Sequence, residues 1–369
     1  MLFLILTCLG TSFVVSCLTT AVIRRLAPGW GLMDQPAARK VHVTPTPLGG
    51  GIGIWCGIVL PLLIVQLIAW LVIHRQVPAV WIPPEIVPHL QGVMQQSPRV
   101  WSIVAAGTIL TCMGLLDDLR NLPWQPRLLV QMLVSCGLIY GGVRASIFVE
   151  YPWLGAIVTF CWIMALINSF NFLDNMDALS GGIGLIASVM FAIIMLAFLE
   201  EPRWMVGGFL LILAGAIAGF LIHNRPPAKI FMGDTGSYLI GLCLATMTIL
   251  GTFYDANSSG THVILAPLCV LAVPLYDLLT VLTIRIWEGR SPFHADKSHF
   301  SHRLVQLGMS KPAAVATIHL TTLMTGLGGL LLYRVHNWSD AGLIMLLIFC
   351  VLAIIAILEM TGRIGKNGP

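Results

Sequence analysis

The sequence predicts an all-α, polytopic transmembrane protein, and three observations lead to that class. Hydrophobic residues make up 57% of the 369 residues and charged residues only 10%, a balance that soluble proteins do not have. Roughly eleven apolar stretches approach the ~20 residues that a helix needs to cross a bilayer. The polar breaks between them are short, so the chain 1–369 is predicted to be a single integral membrane domain.

We expect about eleven spans, with ten as the alternative count, and each is expected to be helical because a lone helix satisfies its own backbone in lipid. Trp101–Leu116 is the shortest of the stretches. The expected spans are 1–23, 49–73, 101–116, 126–148, 155–172, 179–199, 205–223, 235–253, 263–284, 313–333 and 340–360.

Basic residues predict the orientation. With the N-terminus outside, one set of alternate loops holds fifteen of the twenty Lys and Arg residues, and the positive-inside rule makes that set cytoplasmic. The formal net charge of +4 follows from this asymmetry and does not indicate a nucleic-acid partner. The chain is expected to be a multi-pass protein of the inner (plasma) membrane. Its polar motifs fall in five cytoplasmic loops, near 24–48, 117–126, 171–180, 224–236 and 285–312.

Two motifs place carboxylates at the ends of apolar helices. Asp117 and Asp118 end one helix, about 100° apart around its axis, which predicts separate tasks for them. In NSFNFLDNMDALSGG, the polar residues recur every three positions, which predicts one shared helical face. These residues are Asn168, Asn171, Asp174 and Asp177. Buried carboxylates are costly in a bilayer and need ions, partners or water.

A third motif, KIFMGDTGSYLIG, places Asp234 between two glycines just before an apolar helix. Glycines allow a close backbone approach, and a helix N-terminus favours anions, so phosphate and a metal suit this position. It is not a Walker A loop, because no GxxxxGK[ST] sequence is present. The glycines of GGGIG (49–53) and GAIAG (215–219) are instead expected to allow close helix packing.

A fourth motif is basic. HADKSHFSHRL holds His294, Asp296, Lys297, His299, His302 and Arg303, residue types that suit diphosphate. Zinc would need a cysteine or a second histidine pair, and neither completes a site here. Carboxylate oxygens, basic residues and no thiolates favour Mg²⁺ or Mn²⁺ holding a diphosphate, and that combination indicates phosphoryl transfer.

Five motifs, DQPAARKVHVTPTPLGG, LLDDL, NSFNFLDNMDALSGG, KIFMGDTGS and HADKSHFSHRL, resemble those of the polyprenyl-phosphate N-acetylhexosamine-1-phosphate transferases (glycosyltransferase family 4) in sequence and order. Such enzymes join a UDP-activated N-acetylhexosamine-1-phosphate to undecaprenyl phosphate and release UMP, with Mg²⁺ or Mn²⁺, on the cytoplasmic face. The histidine loop, with the sequence Ala-Asp-Lys at 295–297, is similar to the loop of the branch that uses UDP-GlcNAc for cell-envelope polysaccharides. The His-run and Phe-Glu of the muramyl-pentapeptide branch are absent.

The resemblance also implies roles for individual residues. Asp234, with Asp118, would hold the metal; Asp117 and Asp118 would handle the lipid phosphate, one of them as a base or as the site of an aspartyl-phosphate. Asn171, Asp174 and Asp177 would line the nucleotide and metal site. The residues that would bind phosphates or sugar are Lys40, His42, Lys229, His299, His302 and Arg303.

Two departures from the family pattern concern the same motifs. One expected histidine of His-Leu-His-His is Ser301 here, and the usual Asp-Gly-Leu-Asp-Gly has Asn175 and Ala178 in place of its glycines. Donor specificity could differ accordingly. The muramyl-pentapeptide or another UDP-hexosamine donor therefore stays an alternative, and a homodimer is left open.

A secondary transporter is the alternative from another class, since carboxylates and glycine-broken helices also mark ion-coupled sites. It would predict a midplane site and an internal repeat, and the two halves show no convincing repeat. A purely structural membrane protein would leave five polar motifs on one face unexplained. Asp277, within the apolar stretch PLYDLL, is expected to be a buried helix-packing residue, with a lipid-pocket residue as the alternative.

Overall fold

A bundle of α-helices, with one short antiparallel strand pair, makes up the part of the chain that the computed structural model describes. These residues are 2–36, 44–74, 76, 78, 87–145, 151–251, 260–292 and 298–364. The helices are α1 (Leu2–Leu26), α2 (Gly50–Ile73), α3 (Leu90–Arg120), α4 (Trp124–Tyr140), α5 (Pro152–Leu173), α6 (Leu179–Ile193), α7 (Trp204–Asn224), α8 (Asp234–Leu250), α9 (Ala266–Val270), α10 (Ala272–Trp287), α11 (Phe300–Gln306), α12 (Lys311–Leu331) and α13 (Trp338–Ile364).

The predicted class, an all-α polytopic membrane protein, is confirmed. Within the described residues, eight helices are long and apolar enough to cross a bilayer, and α9 and α10, bent by 67° at their junction, together would make a ninth. Helices α4 and α8 are shorter, at 17 residues each. Each of the eleven expected spans coincides with a helix or with the bent pair, while the number of crossings and the side of the N-terminus stay predictions.

Helix α3 is longer than its apolar sequence predicts. It runs for 31 residues from Leu90 to Arg120, whereas the expected span is 101–116. The first third of the helix is rich in Gln and contains Pro98, so hydropathy does not detect it. At 1.5 Å per residue the helix is about 46 Å long, which exceeds the ~30 Å hydrocarbon core. Because the helix ends at Arg120, Asp117 and Asp118 lie in its last turn.

Helix α8 lies at the centre of the bundle. Every residue from Thr235 to Thr248 is buried, and α8 contacts α2, α3, α5, α6 and α7. The C-terminal helix α13 is the opposite case, because Leu343, Leu347 and Phe349 are all more than 60% exposed. Apolar side chains on that surface are in place to face lipid. The position of α8 decides where the residues at its first turn can meet the rest of the chain.

Small residues allow the helices to approach α8 and α1 closely. A Cβ atom on Gly51 would lie 2.2 Å from the Gly236 nitrogen, and one on Gly215 would lie 2.3 Å from the Leu9 carbonyl oxygen. The expectation that the GGGIG and GAIAG segments serve helix packing is confirmed.

The strand pair connects the first loop to the segment before α8. Strands β1 (Met33–Asp34) and β2 (Thr46–Pro47) are antiparallel. The Phe231 N–H donates to the Pro47 carbonyl oxygen at 2.8 Å, and the Gly50 N–H donates to the Phe231 carbonyl oxygen at 2.9 Å. These bonds fix the chain that leads into the first turn of α8.

We expect Gly114→Ala to destabilise the protein. A Cβ on Gly114 would lie 2.4 Å from backbone atoms of both Asp234 and Thr235, and backbone cannot rotate out of the way. Overpacking of this kind typically costs about 1–3 kcal/mol. Thermal unfolding of the purified protein in detergent is expected to show a clear decrease in Tm. In the control Gly137→Ala, the new methyl group meets no heavy atom within 4 Å, so its Tm should not fall. Equal Tm values for the two variants would contradict the close α3–α8 contact.

Candidate active site

A polar centre forms where helix α8 begins, against the last turn of α3. Asp118 Oδ1 accepts a hydrogen bond from the Asp234 N–H at 3.0 Å, and its Oδ2 accepts from the Thr235 hydroxyl at 2.6 Å and the Thr235 N–H at 3.3 Å. The first N–H groups of a helix have no partner within the helix and favour a negative charge. The anion at this helix N-terminus is therefore a carboxylate of the protein itself.

Gly233, just before α8, makes this contact possible. Its φ of 71° lies in the left-handed region, and a Cβ there would lie 2.4 Å from Asp118 Oδ2. Glycine adopts this backbone without strain and leaves room for the carboxylate. The glycine before Asp234 thus serves the close approach that its position predicts, with Asp118 as the group that approaches.

Asp117 has a different set of partners. Its Oδ1 accepts from the Leu122 N–H at 2.6 Å, and its Oδ2 accepts from the Arg127 guanidinium at 2.9 Å. The same Arg127 nitrogen lies 3.4 Å from Asp234 Oδ2, so this cation bridges the two carboxylates. Asp117 and Asp118 point to separate partners, as their angular separation on a helix predicts.

Asp234, the first residue of α8, is held by donors from two helices. Asn171 Nδ2 on α5 donates to Asp234 Oδ1 at 2.7 Å, and the Tyr238 hydroxyl donates to Oδ2 at 2.8 Å. Tyr238 follows Asp234 by four residues and so lies on the same face of α8. Asp118, Asn171 and Asp234, from three separate motifs, therefore meet at one place.

The three-residue spacing of Asn168, Asn171, Asp174 and Asp177 predicts one shared helical face, and that prediction is wrong for the second half of the motif. Helix α5 ends at Leu173, so Asp174 and Asp177 lie in the turn before α6. The backbone leaves the helix at Asp174, where ψ is 54°. Asp and Asn side chains compete for backbone hydrogen bonds and favour such turns.

The two carboxylates of this turn have contrasting surroundings. Burial, reinforced by the negative charge of Asp118, raises the pKa of Asp174 to about 8, although a hydrogen bond from the Gly233 N–H opposes the shift. The raised pKa favours the neutral form of Asp174 more strongly than that of an ordinary surface aspartate. Asp177 Oδ2 accepts from the Ala228 N–H at 2.9 Å and so connects the turn to the segment after α7.

The residues that depart from the family pattern lie at the same turn. Ser301 and Asn175 contact each other, and Ala178 is part of the turn. The Ser301 hydroxyl donates to Asn175 Oδ1 at 2.6 Å, and Asn175 Nδ2 donates to the Phe172 carbonyl oxygen at 2.7 Å. Ala178 has a φ of 61°, a conformation that suits the glycine usual at this position, and its N–H donates to Asn224 Oδ1 at 2.8 Å. Ser301 and Asn175 thus bind α11 to the carboxylate turn.

The donor set suits a hard divalent cation. Five aspartates, Asp117, Asp118, Asp174, Asp177 and Asp234, surround the start of α8 or the adjoining turn, and Arg127 neutralises part of their charge. Among the described residues, no three His, Cys, Asp or Glu side chains are placed to hold a metal ion by themselves. Mg²⁺ is usually bound by one or two carboxylates together with substrate phosphates and water.

Some of the predicted phosphate-binding residues lie outside the described residues, and Lys229 lies beside a cavity. Lys229 and Arg24 line an open cavity of about 480 Å³ next to Ala228, the residue that binds Asp177. The predicted residues that the structure does not describe are Lys40, His42, His294, Asp296 and Lys297.

The described histidine-loop residues lie at the start of α11. His299 Nδ1 is 3.0 Å from Asp277 Oδ2, and the His302 ring centroid is 6.3 Å from that of His299. Arg303 is 4% exposed and lies 3.0 Å from Glu359 Oε2 on α13. In this conformation the Arg303 guanidinium is bound to protein groups, and its contact with substrate stays a prediction.

Three polar residues of this region escape sequence reasoning. Arg127 and Tyr238 contact Asp234, and Gln131 Oε1 accepts from Asn168 Nδ2 at 2.9 Å. Tyr238 could have been predicted, because it follows Asp234 by four residues and therefore lies on the same face of the helix. Arg127 and Gln131 lie one turn apart on α4, a polar stripe at the start of an apolar helix.

Comparisons of the sequence with known proteins show which family the chain resembles. A family model described as glycosyl transferase family 4 matches residues 100–252, the segment that holds all five aspartates. A decaprenyl-phosphate N-acetylglucosaminephosphotransferase of Mycobacterium tuberculosis is 32% identical over 84% of this chain and 78% of its own. A probable undecaprenyl-phosphate N-acetylglucosaminyl 1-phosphate transferase of Bacillus subtilis is 28% identical over 96% and 93%. The Escherichia coli undecaprenyl-phosphate alpha-N-acetylglucosaminyl 1-phosphate transferase is 26% identical over 91% and 87%.

The fold and the site are those of a multi-pass helical membrane protein with a carboxylate-rich centre, which lies where the ends of α3 and α5 meet the start of α8. The chain belongs to glycosyl transferase family 4, the polyprenyl-phosphate N-acetylhexosamine-1-phosphate transferases.

We expect the Ser301–Asn175 hydrogen bond to couple α11 to the carboxylate turn. Ser301→Ala and Asn175→Ala should each lower the Tm, and the double variant should lose less than the sum of the two. The difference is expected to correspond to about 0.5–1.5 kcal/mol, the usual contribution of one hydrogen bond.

The matched control is Ser339→Ala, which removes an exposed hydroxyl that donates to Asn337 Oδ1 at 2.6 Å. Its effect should simply add to that of Asn175→Ala. Strict additivity of Ser301→Ala and Asn175→Ala would show that the two side chains do not interact.

Proposed function

We propose that this protein transfers N-acetylglucosamine-1-phosphate from UDP-N-acetylglucosamine to undecaprenyl phosphate and releases UMP, as the first step of a cell-envelope polysaccharide. One observation carries the proposal: Asp118, Asn171, Asp174 and Asp234, which are up to 116 residues apart, meet at the N-terminus of α8. The names of the relatives from Bacillus subtilis and Escherichia coli support the sugar and the lipid acceptor.

In the proposed reaction, an oxygen of the lipid phosphate attacks the sugar-bearing phosphorus of the donor. A new phosphorus–oxygen bond forms to the lipid, the bond to the bridging oxygen breaks, and UMP leaves with that electron pair. Bound Mg²⁺ or Mn²⁺ would supply charge neutralisation on the diphosphate, as in other phosphoryl transfers. Asp234, with Asp118, would hold that ion together with phosphate oxygens.

The side chains around Asp234 have complementary tasks. Asn171 and Tyr238 orient its carboxylate through hydrogen bonds of 2.7 and 2.8 Å. The Arg127 side chain remains 29% exposed between Asp117 and Asp234, so its guanidinium can also donate to a phosphate oxygen. Lys229 and Arg24, beside their open cavity, suit the anionic part of a nucleotide.

We favour direct attack over an aspartyl-phosphate intermediate. Both oxygens of Asp118 accept hydrogen bonds from the start of α8, and both oxygens of Asp117 are bound by Leu122 and Arg127. Hydrogen bonds to a carboxylate stabilise its charge and weaken it as a nucleophile.

The position of the centre at helix ends, on the side of Arg24 and Lys229, suits a cytoplasmic site that lipid reaches from within the bilayer.

We expect Asp234→Asn to lower turnover by about 100-fold or more, because the neutral amide keeps the shape of the side chain and loses the charge that holds the cation. The measurement is UMP release and lipid-linked product from purified protein with UDP-GlcNAc and undecaprenyl phosphate. Chelation with EDTA should abolish wild-type turnover, and Mg²⁺ or Mn²⁺ should restore it.

The matched control is Asp340→Asn, at an exposed aspartate that binds Asn337 in the first turn of α13. This variant should keep wild-type turnover. Near-normal turnover of Asp234→Asn, or full activity in EDTA, would overturn the metal assignment.

We expect UDP-GlcNAc to be used at least tenfold more efficiently than UDP-GalNAc or the UDP-muramyl-pentapeptide. The experiment offers each labelled donor to the same membranes and compares the yield of lipid-linked product. Transfer from the muramyl-pentapeptide alone would overturn the donor assignment. Uptake of substrate by proteoliposomes without UMP release would instead favour a transporter.

A further inference from the structure

A buried carboxylate on α10 contacts the histidine loop. Asp277 is 0% exposed within the apolar stretch PLYDLL (274–279) of α10. Its Oδ2 lies 3.0 Å from His299 Nδ1, and its Oδ1 accepts from the Phe300 N–H at 2.6 Å. A carboxylate at such a depth is costly and needs strong partners, and both of its oxygens have one. The expectation that Asp277 is a buried residue is met, and its partners belong to the start of α11 rather than to another long helix.

The Asp277 contact determines which nitrogen of His299 carries a proton. A carboxylate only accepts hydrogen bonds, so Nδ1 must be the protonated nitrogen. Nε2 is then the second nitrogen, which accepts when the ring is neutral and donates when it is charged. Among the residues that the structure describes, the hydrogen bond of the His299 ring is the one that Nδ1 makes with Asp277. Asp277 thus leaves one nitrogen of His299 available for another group.

The His299 ring lies beside the carboxylate turn. It meets the Phe172 ring edge-on with a centroid distance of 5.4 Å, and Phe172 is two residues before Asp174. The Arg285 guanidinium lies over the same Phe172 ring at 5.0 Å. Two residues after His299, Ser301 binds Asn175 of the turn at 2.6 Å. The contacts on both sides of His299 therefore join it to the α5–α6 turn.

We propose that Asp277 is a positioning residue of the transfer reaction: it holds His299 in one orientation and one tautomer, so that Nε2 contacts the phosphate groups of the substrate at the carboxylate centre. This inference rests on the proposed function. The Asp277 carboxylate does not touch the substrate and acts only through His299, in the manner of the aspartate in a hydrolase triad.

Asp277→Asn separates this role from a purely structural one. The amide oxygen can still accept from the Phe300 N–H, so the start of α11 keeps its support. The amide nitrogen, however, donates toward His299 Nδ1 and requires the opposite tautomer. We expect a Tm close to that of the wild type and a loss of about 10–100-fold in kcat, with a much smaller change in the KM for UDP-GlcNAc.

A double-variant comparison tests whether the effect passes through the imidazole. In the His299→Ala background, Asp277→Asn should cause no further loss beyond twofold, because the group it orients is already absent. Asp340→Asn, the exposed aspartate on α13, is the matched change and should leave kcat unaltered in both backgrounds.

Each outcome decides a separate point. If the wild type is active and the kcat of Asp277→Asn lies within threefold of the wild-type value, the inference is overturned and the proposed function is not. The same holds if Asp277→Asn causes an equal loss with and without His299, since the carboxylate would then act independently of the ring. Wild-type protein that forms neither UMP nor lipid-linked product overturns the proposed function, and the inference with it.

Discussion

The hydrogen bonds from the first turn of α8 to the Asp118 carboxylate are the interaction on which the rest of the site depends. They join the end of α3 to the start of α8, next to the close backbone contact of Gly114 with Asp234 and Thr235. A carboxylate at a helix N-terminus satisfies orphan N–H groups and opposes the helix dipole, a contribution of about 0.5–2 kcal/mol. With α8 held there, Asp234 lies within reach of Asn171 on α5 and of Arg127 on α4.

The same contact concentrates negative charge, and the protein compensates for it in three ways. Arg127 pairs with Asp117 and Asp234; N–H and hydroxyl groups surround Asp118 and Asp234; and the raised pKa of Asp174 favours the neutral form of that carboxyl. Perturbed carboxyl groups of this kind cluster at functional sites, because the environment that shifts them is built for a ligand. In the proposed reaction, a bound cation would take over part of the charge neutralisation that Arg127 and the hydrogen-bond donors provide.

A second polar layer fixes the short helix α11 against this centre. Asp277 holds His299 and Phe300 from α10, while Glu359 on α13 accepts from the Tyr276 hydroxyl at 2.8 Å and pairs with Arg303. Ser301 adds the contact with Asn175. Buried polar groups with partners specify one arrangement because any other would leave them unsatisfied. Helix α11 is thus held from two helices and from the α5–α6 turn, and two departures from the family pattern, Ser301 and Asn175, contact each other there.

The sequence alone determined the helical membrane class, the helix-packing glycines and the motif residues, since composition, apolar length and small-residue spacing are local properties. It predicted that Asp117 and Asp118 would differ in task, because helical geometry separates neighbours. It was wrong that Asp174 and Asp177 continue the helical face of α5, and its span for α3 covers only about half of that helix. The turn after Leu173 and the Gln-rich start of α3 depend on partners that hydropathy does not detect. Only the tertiary structure decided that Asp118 occupies the start of α8, that Arg127 bridges two aspartates and that Asp277 orients His299. Each of these pairs residues that are 10 to 116 positions apart, and such contacts arise from helix packing rather than from any local pattern.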